Sequence, residues 1–294
     1  MSIRGEVVAG VLVAFGLAPA LMAQSGASAS VVASALVRRA VQRRLDASKS
    51  HRLVRYLLHA KDERHDTTKE IVETKDGDVA RLVAVGGKPL SAEADRAELA
   101  RLDYLVAHPE LQQHRKKSEQ KDQARVDRLM GMLPDALVYR LEGMVACGAG
   151  AGTAPSGAGQ CYRLSFVPNP KWSPPDMEAD LLRGVAGEVW IDQAQERLTR
   201  LDARFIKDVD FGFGIVGKLN KGGTVSIEQT DVGGNDWELT GLTLQVSGKA
   251  LLVKSLSEQI KEEASGFAPV APGMGYREAI DLLKKGSVAA SNSK

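Results

Sequence analysis

Residues 146–162 read ACGAGAGTAPSGAGQCY. Glycines at this density raise the possibility of a phosphate-binding loop, whose backbone N–H groups would face an anion. Their order is wrong for one. In the dinucleotide pattern G-x-G-x-x-G, Gly148 and Gly150 fill the first two places, but the third falls on Thr153. A Walker loop would close on Gly-Lys-Ser/Thr, whereas Gln160, Cys161 and Tyr162 follow here. Beyond them, Tyr162 to Phe166 alternates like a strand. Cys147 and Cys161 are the only cysteines. A C-x13-C spacing with no neighbouring histidine is not a metal-ligand pattern. In an oxidising compartment the two would bridge the mouth of the loop as a disulfide.

Five histidines (His51, His59, His65, His108 and His114) are the candidate bases or metal ligands. The segment HAKDERHD gathers His59 and His65 with carboxylates. On an unbroken strand the two rings would share a face but lie about 20 Å apart, too far for one metal. A solvated strand end is the expectation. Neither the G-x-S-x-G elbow nor the H-E-x-x-H helix occurs. The chain is read as non-catalytic, with no metal and no cofactor.

Formal net charge is +2 and aromatic residues make up 5% of the chain. That composition supplies neither a basic patch for a phosphate backbone nor a stacking platform for bases, so no nucleic-acid partner is expected. The amino terminus has the three-part plan of an export signal. Arg4 precedes an uncharged apolar run, Val7 to Leu21, and small Ala23 precedes Gln24. A cleaved signal peptide over 1–23 follows, with a soluble, monomeric periplasmic product. No cysteine follows the apolar run to carry a lipid anchor.

These residues need elements to position them. Val31 to Asp46 reads as an amphipathic helix: Leu36, Val37, Ala40, Val41 and Leu45 form one stripe, and Arg38, Arg39 and Arg43 lie opposite. Strands are expected over Leu53 to Ala60, Thr67 to Glu73 and Asp78 to Val85, the last two joined at Lys75-Asp76-Gly77. A helical insertion, 88–131, begins near an N-cap at Ser91 and holds a second, heavily charged helix after Pro109, ended by Gly131 and Pro134. This insertion is a candidate surface for an envelope protein partner. Eight further strands are expected: Asp135 to Ala146, Cys161 to Val167, Gly187 to Asp192, Arg197 to Lys207, Phe211 to Lys218, Gly223 to Thr230, Trp237 to Val246 and Ala250 to Gln259. Residues 24–263 would form one β domain, and 264–294, rich in Gly, Pro, Ser and Ala, a largely disordered tail with at most a short helix at Tyr276 to Lys284.

The segment GEVWIDQAQERLTRLDARF, residues 187–205, resembles a hairpin that recurs in the LolA/LolB-like superfamily of exported proteins, which includes lipoprotein-localisation carriers and RseB-like envelope regulators. The downstream GGTVSIEQTDVGGNDWELTGLTLQVSGKALL is similar to the next strand pair. The order of elements also agrees: signal peptide, one amphipathic helix, then about eleven strands. The resemblance implies a half-open antiparallel β-barrel around an apolar hollow, and a lipid or the acyl chains of a lipidated protein as the ligand.

Alternation picks out the residues that would line such a hollow: Tyr56, Leu58, Leu164, Phe166, Leu201, Phe205, Phe211, Phe213, Leu242 and Leu244. The competing reading is a packed barrel, with these residues in an ordinary core and function residing in protein contacts.

Overall fold

A computed structural model of the chain describes residues 18–49, 52–148, 159–211, 217–250 and 254–286. Helix α1 (Ala18–Lys49) leads into strands β1 (Val54–Lys61), β2 (Asp66–Val72), β3 (Val79–Val85) and the two-residue β4 (Lys88–Pro89). Helices α2 (Ala92–Ala107) and α3 (Pro109–Ala136) follow. After them come β5 (Leu137–Ala146), β6 (Gln160–Pro168), a 3-10 turn at Ala179–Gly184, β7 (Val185–Asp192) and β8 (Leu198–Phe205). The chain continues through β9 (Val209–Phe211), β10 (Gly217–Leu219), β11 (Thr224–Asp231), β12 (Trp237–Ala250), β13 (Lys254–Pro269) and helix α4 (Tyr276–Lys285).

The thirteen strands among the described residues belong to one antiparallel sheet, in the order β4-β3-β2-β1-β13-β12-β11-β8-β7-β6-β5, with β10 joining β12 to β9. Among the described residues the sheet does not close on itself. Its register separates two faces. One row of paired residues runs Leu141, Leu164, Val189, Leu201, Ile227, Leu242, Glu262, Ala60, Thr67 and Val85. The row beside it runs Arg140, Ser165, Glu188, Asp202, Ser226, Thr243, Lys261, Lys61 and Asp66. Side chains alternate between faces, so the first row defines an apolar inner face and the second a polar outer face. Gly187 is needed where two strands meet: a Cβ there would collide with the Asp202 carbonyl.

The inner face is covered at one end by α1. Ala33, Leu36, Val37, Ala40 and Val41 recur at helical spacing and are buried against Leu137, Tyr139, Leu164, Phe166, Val189, Ile191 and Leu198. The opposite helix face carries Arg38, paired with Asp135 at 2.7 Å, and Arg39 and Arg43, both paired with Glu196 in the β7–β8 turn. A second core lies at the other end, on the outer face. There Val72 and Val79 pack with Leu102 and Leu105 of α2 and with Ala279, Ile280 and Leu283 of α4.

Several boundaries differ from the sequence expectation. The helix at Val31 to Asp46 is longer in both directions. Helix α3 continues through Gly131 and Pro134 to Ala136, because Met130, Leu133 and Ala136 pack on the α1 core and outweigh one lost backbone bond. The single strand expected over Phe211 to Lys218 is two short strands, and the one expected over Ala250 to Gln259 is the later, longer β13. The expected disordered tail is ordered from 264 to 286: it completes β13 and forms α4, whose apolar side is fully buried.

Candidate functional site: the uncovered inner face

Helix α3 crosses the inner face from one flank of the sheet to the other. Near its start Gln112, itself buried, donates through Nε2 to the carbonyls of Asp76, Gly77 and Asp78 at 2.8–3.3 Å. Glu119 accepts from the Asp78 N–H. Helix α2 supplies the same service further along β3: Glu98 accepts from the Leu82 N–H at 2.7 Å, and Arg101 donates to the Ala80 carbonyl at 2.5 Å. At its far end α3 joins the α1 core beside β5. Ten strands spaced about 4.8 Å apart would set the two flanks about 43 Å apart in a flat sheet. The helix from Gln112 to Ala136 measures about 36 Å. The sheet therefore curls towards the helix that ties its flanks.

Between these anchorages the helix touches little. Gln120 to Val126 are all exposed, nearly two turns, so every face of the helix there meets solvent. Charged residues on all sides suit a segment that bridges without packing. Arg125 and Arg128 then pair with Asp176 and Glu178 of the β6–β7 connection. Between the two flanks, the inner faces of β1, β13, β12 and β11 present Tyr56, Leu58, Ile260, Ala264, Leu242, Leu244, Val225 and Ile227, all half-buried, with Glu262 among them. Tyr56 stacks on Phe267, with ring centroids 5.1 Å apart. Burial, and after it the carboxylates of Asp78, Glu73, Glu238 and Glu262, hold the Tyr56 phenol neutral well above its ordinary range.

The residues expected to line a hollow divide into groups. Tyr56, Leu58, Leu242 and Leu244 lie on this half-buried stretch. Leu201 lies beside it and packs on the margin of the α1 core. Leu164 and Phe166 share the same face but are sealed beneath α1, where they fill a core. Phe205 forms a small core with Val209 and Val246, against which Leu244 also rests. Phe211 ends β9, and Phe213 lies outside the described residues.

Comparison with family models, with curated proteins and with solved structures finds no match to this chain. Its chemistry has to be read from its own geometry.

The other chemical groups sit elsewhere. Cys147 and Cys161 are bonded, with Sγ atoms 1.98 Å and Cα atoms 5.0 Å apart, at the end of the β5–β6 hairpin. The glycine-rich residues 149–158 lie outside the described residues. The Asp192 carboxylate stands 3.7 Å from the Cys147 sulfur. The two sulfurs and that carboxylate are close enough to share a metal, but a disulfide offers no thiolate to hold one. The strand expected to run through His59 and His65 turns between them instead. His59 Nε2 meets Asp66 Oδ1 at 2.9 Å across the β1–β2 hairpin, and His65 Nδ1 meets Asp62 within the turn. Backbone N–H groups of Arg64 and His65 lower the Asp62 carboxyl pKa, and the His59 hydrogen bond lowers that of Asp66. Among the described residues no helix is long and apolar enough to cross a membrane. The predicted cut after Ala23 falls within α1.

Sequence periodicity picked out the inner face but missed what uncovers part of it. The signal available was the charge on all sides of the second insertion helix, which marks a segment unable to pack closely on an apolar sheet.

Proposed function

We propose that this protein is an exported, non-catalytic carrier or sensor that holds an apolar ligand, a lipid or the acyl chain of a lipidated protein, on its inner face. One observation carries the reading. A largely apolar stretch of sheet, from Tyr56 and Leu58 to Leu242 and Leu244, is only half-buried, and the middle of α3, the helix that ties the two flanks, is bare. A sheet face of this composition ordinarily packs against another layer. A twelve-carbon chain laid there would contribute up to ~9 kcal/mol at ~0.8 kcal/mol per methylene, before ordering costs bring binding to micromolar strength. The export signal and the resemblance of residues 187–205 to the LolA/LolB-like hairpin agree with a role in the cell envelope.

The test is uptake of a fluorescent long-chain acyl probe by the mature protein, together with mass spectrometry of an organic extract of the purified protein. Uptake should be saturable and should fail in Leu244→Arg, with folding checked by circular dichroism. Lys121→Ala, on the bare part of α3, should bind as the parent does. A folded, lipid-free protein indifferent to probes of every chain length would refute the proposal and favour the packed-barrel reading.

A further inference from the structure

The inner face is not uniformly apolar. Next to Leu58 on β1 stands Lys69 on β2, and next to that Leu82 on β3. A cavity of about 380 Å³ opens at this point, lined by Thr67, Lys69, Ala80, Leu82, Glu98, Arg101 and Arg115. Strands supply its floor, α2 supplies Glu98 and Arg101, and α3 reaches in with Arg115. Three cations and one carboxylate meet here, a surplus of two positive charges. Arg101 is held by Glu98 at 2.8 Å, whereas neither Lys69 nor Arg115 forms an ion pair among the described residues. Arg115 makes only a long bond, 3.4 Å, to the Asp78 carbonyl. Two unneutralised cations beside a partly apolar cavity favour an anion as occupant.

We infer that the bound ligand is an anionic amphiphile, its carboxylate or phosphate held between Lys69 and Arg115 and its chain lying over Leu58 towards Leu244. This rests on the acyl-chain reading above and adds the head group to it. The chain has a path across the strands: Leu58 pairs with Ala264 on β13, and Ile260 further along the same face of β13 pairs with Leu244 on β12, with Glu262 between Ala264 and Ile260 the one carboxylate it passes. The charges around the face favour the same orientation. Asp78, Glu73, Glu238 and Glu262 all act on Tyr56 and would repel an anionic head from that position. The Lys69–Arg115 cavity is where a head group is attracted. A free inorganic anion would satisfy the cations but leave the apolar path unused, so it should bind far more weakly than the amphiphile.

Calorimetric titration of the full mature protein decides the matter with five probes: dodecanoate, dodecyl maltoside, dodecyltrimethylammonium, acetate and inorganic phosphate. Dodecanoate should bind about tenfold more tightly than the neutral and cationic detergents, as a half-buried charge contact implies, and the preference should shrink in high salt. The double variant Lys69→Gln, Arg115→Gln should lose the preference while binding dodecyl maltoside as the parent does, which also certifies its fold; Lys69→Arg should retain it. Equal binding of all three head groups by the parent, or an unchanged preference in the double variant, would overturn the head-group assignment and leave the acyl-chain reading standing. Phosphate binding as tightly as dodecanoate would overturn it in favour of a simple anion site. Failure of every chain to bind would overturn both.

Discussion

The two halves of the inner face are written in the same alternating code and end in different states. From β5 to β8, Leu137, Tyr139, Leu164, Phe166, Val189 and Ile191 are sealed by the small-residue stripe of α1. From β11 through β12 and β13 to β1, Val225, Ile227, Leu242, Leu244, Ile260 and Leu58 are half-buried, and the span of α3 between its two anchorages is charged and exposed. The covering helix differs between the halves, and so, on β13, does the sheet, which turns Glu258 and Glu262 to the same face. Ala33, Val37, Ala40 and Val41 let α1 approach closely, whereas Lys121, Asp122, Arg125 and Asp127 would have to shed water to do so. Strand patterning alone therefore does not distinguish a core from a binding face.

The most direct way to break this comparison is to make the same truncation in both halves. Leu164→Ala should cost about 3 kcal/mol in urea denaturation, since the side chain is fully buried. Leu242→Ala should cost about 1 kcal/mol, but should weaken uptake of an acyl probe, which Leu164→Ala at a permissive temperature should not. Equal costs would mean the two halves are packed alike.

Opening the disulfide should come next in size. The loop it closes, about fifteen residues, corresponds to about 3 kcal/mol or less of stabilisation. Because Cys161 is buried beside Thr199 at the hairpin end, the Cys147→Ser, Cys161→Ser variant should melt earlier and still bind probe. Lost binding with an unchanged melting temperature would contradict this placement.

Two tyrosines sharpen the comparison through pH. Burial alone keeps Tyr139 neutral well above its ordinary range; at Tyr56 burial is joined by four carboxylates. Above pH ~10 the unfolded chain ionises both phenols and binds fewer protons than the folded chain, so stability is lost as pH rises. Tyr139→Phe and Tyr56→Phe should each flatten that loss between pH 9.5 and 11. Added salt should weaken only the Tyr56 contribution, because only that one includes charge repulsion. The Tyr139 variant also loses a hydrogen bond to the Leu133 carbonyl, worth about 1 kcal/mol at neutral pH.

The smallest effect belongs to the surface of the covered half. Glu196→Gln should cost about 0.5 kcal/mol or less despite contacts to Arg39 and Arg43, because both arginines are half exposed. The Arg39 hydrogen bond is the main cause of the depressed Glu196 pKa. What stability the pair adds is therefore present at neutral pH and lost as acid protonates the carboxylate.

Alternation made the inner face legible: Leu164, Leu201 and Leu242 fall on it in register, and the helix stripe at Leu36 to Val41 is where it was expected. The short insertion helix at Ser91 was legible too, through its cap. Strand β13 was not. Its inner positions include Glu258 and Glu262, so its period is masked, and it holds strand form because β12 and β1 pair with it on both sides. That β1 should meet β13 across most of the chain is a non-local fact that no spacing reveals. The cavity at Lys69 and Arg115 has the same origin, since its residues come from β2, β3, α2 and α3.

The sheet's two flanks also bear on self-association. Open sheets can grow into fibres by pairing flank to flank, which requires two free flanks on every molecule. Here β3 has side chains of Glu98 and Arg101 on two of its outward backbone groups, and β5 on the other flank is interrupted by a bulge between Leu141 and Gly143. Flank-to-flank growth is hindered on one side by side chains that occupy backbone groups and on the other by a bulge that breaks the ladder.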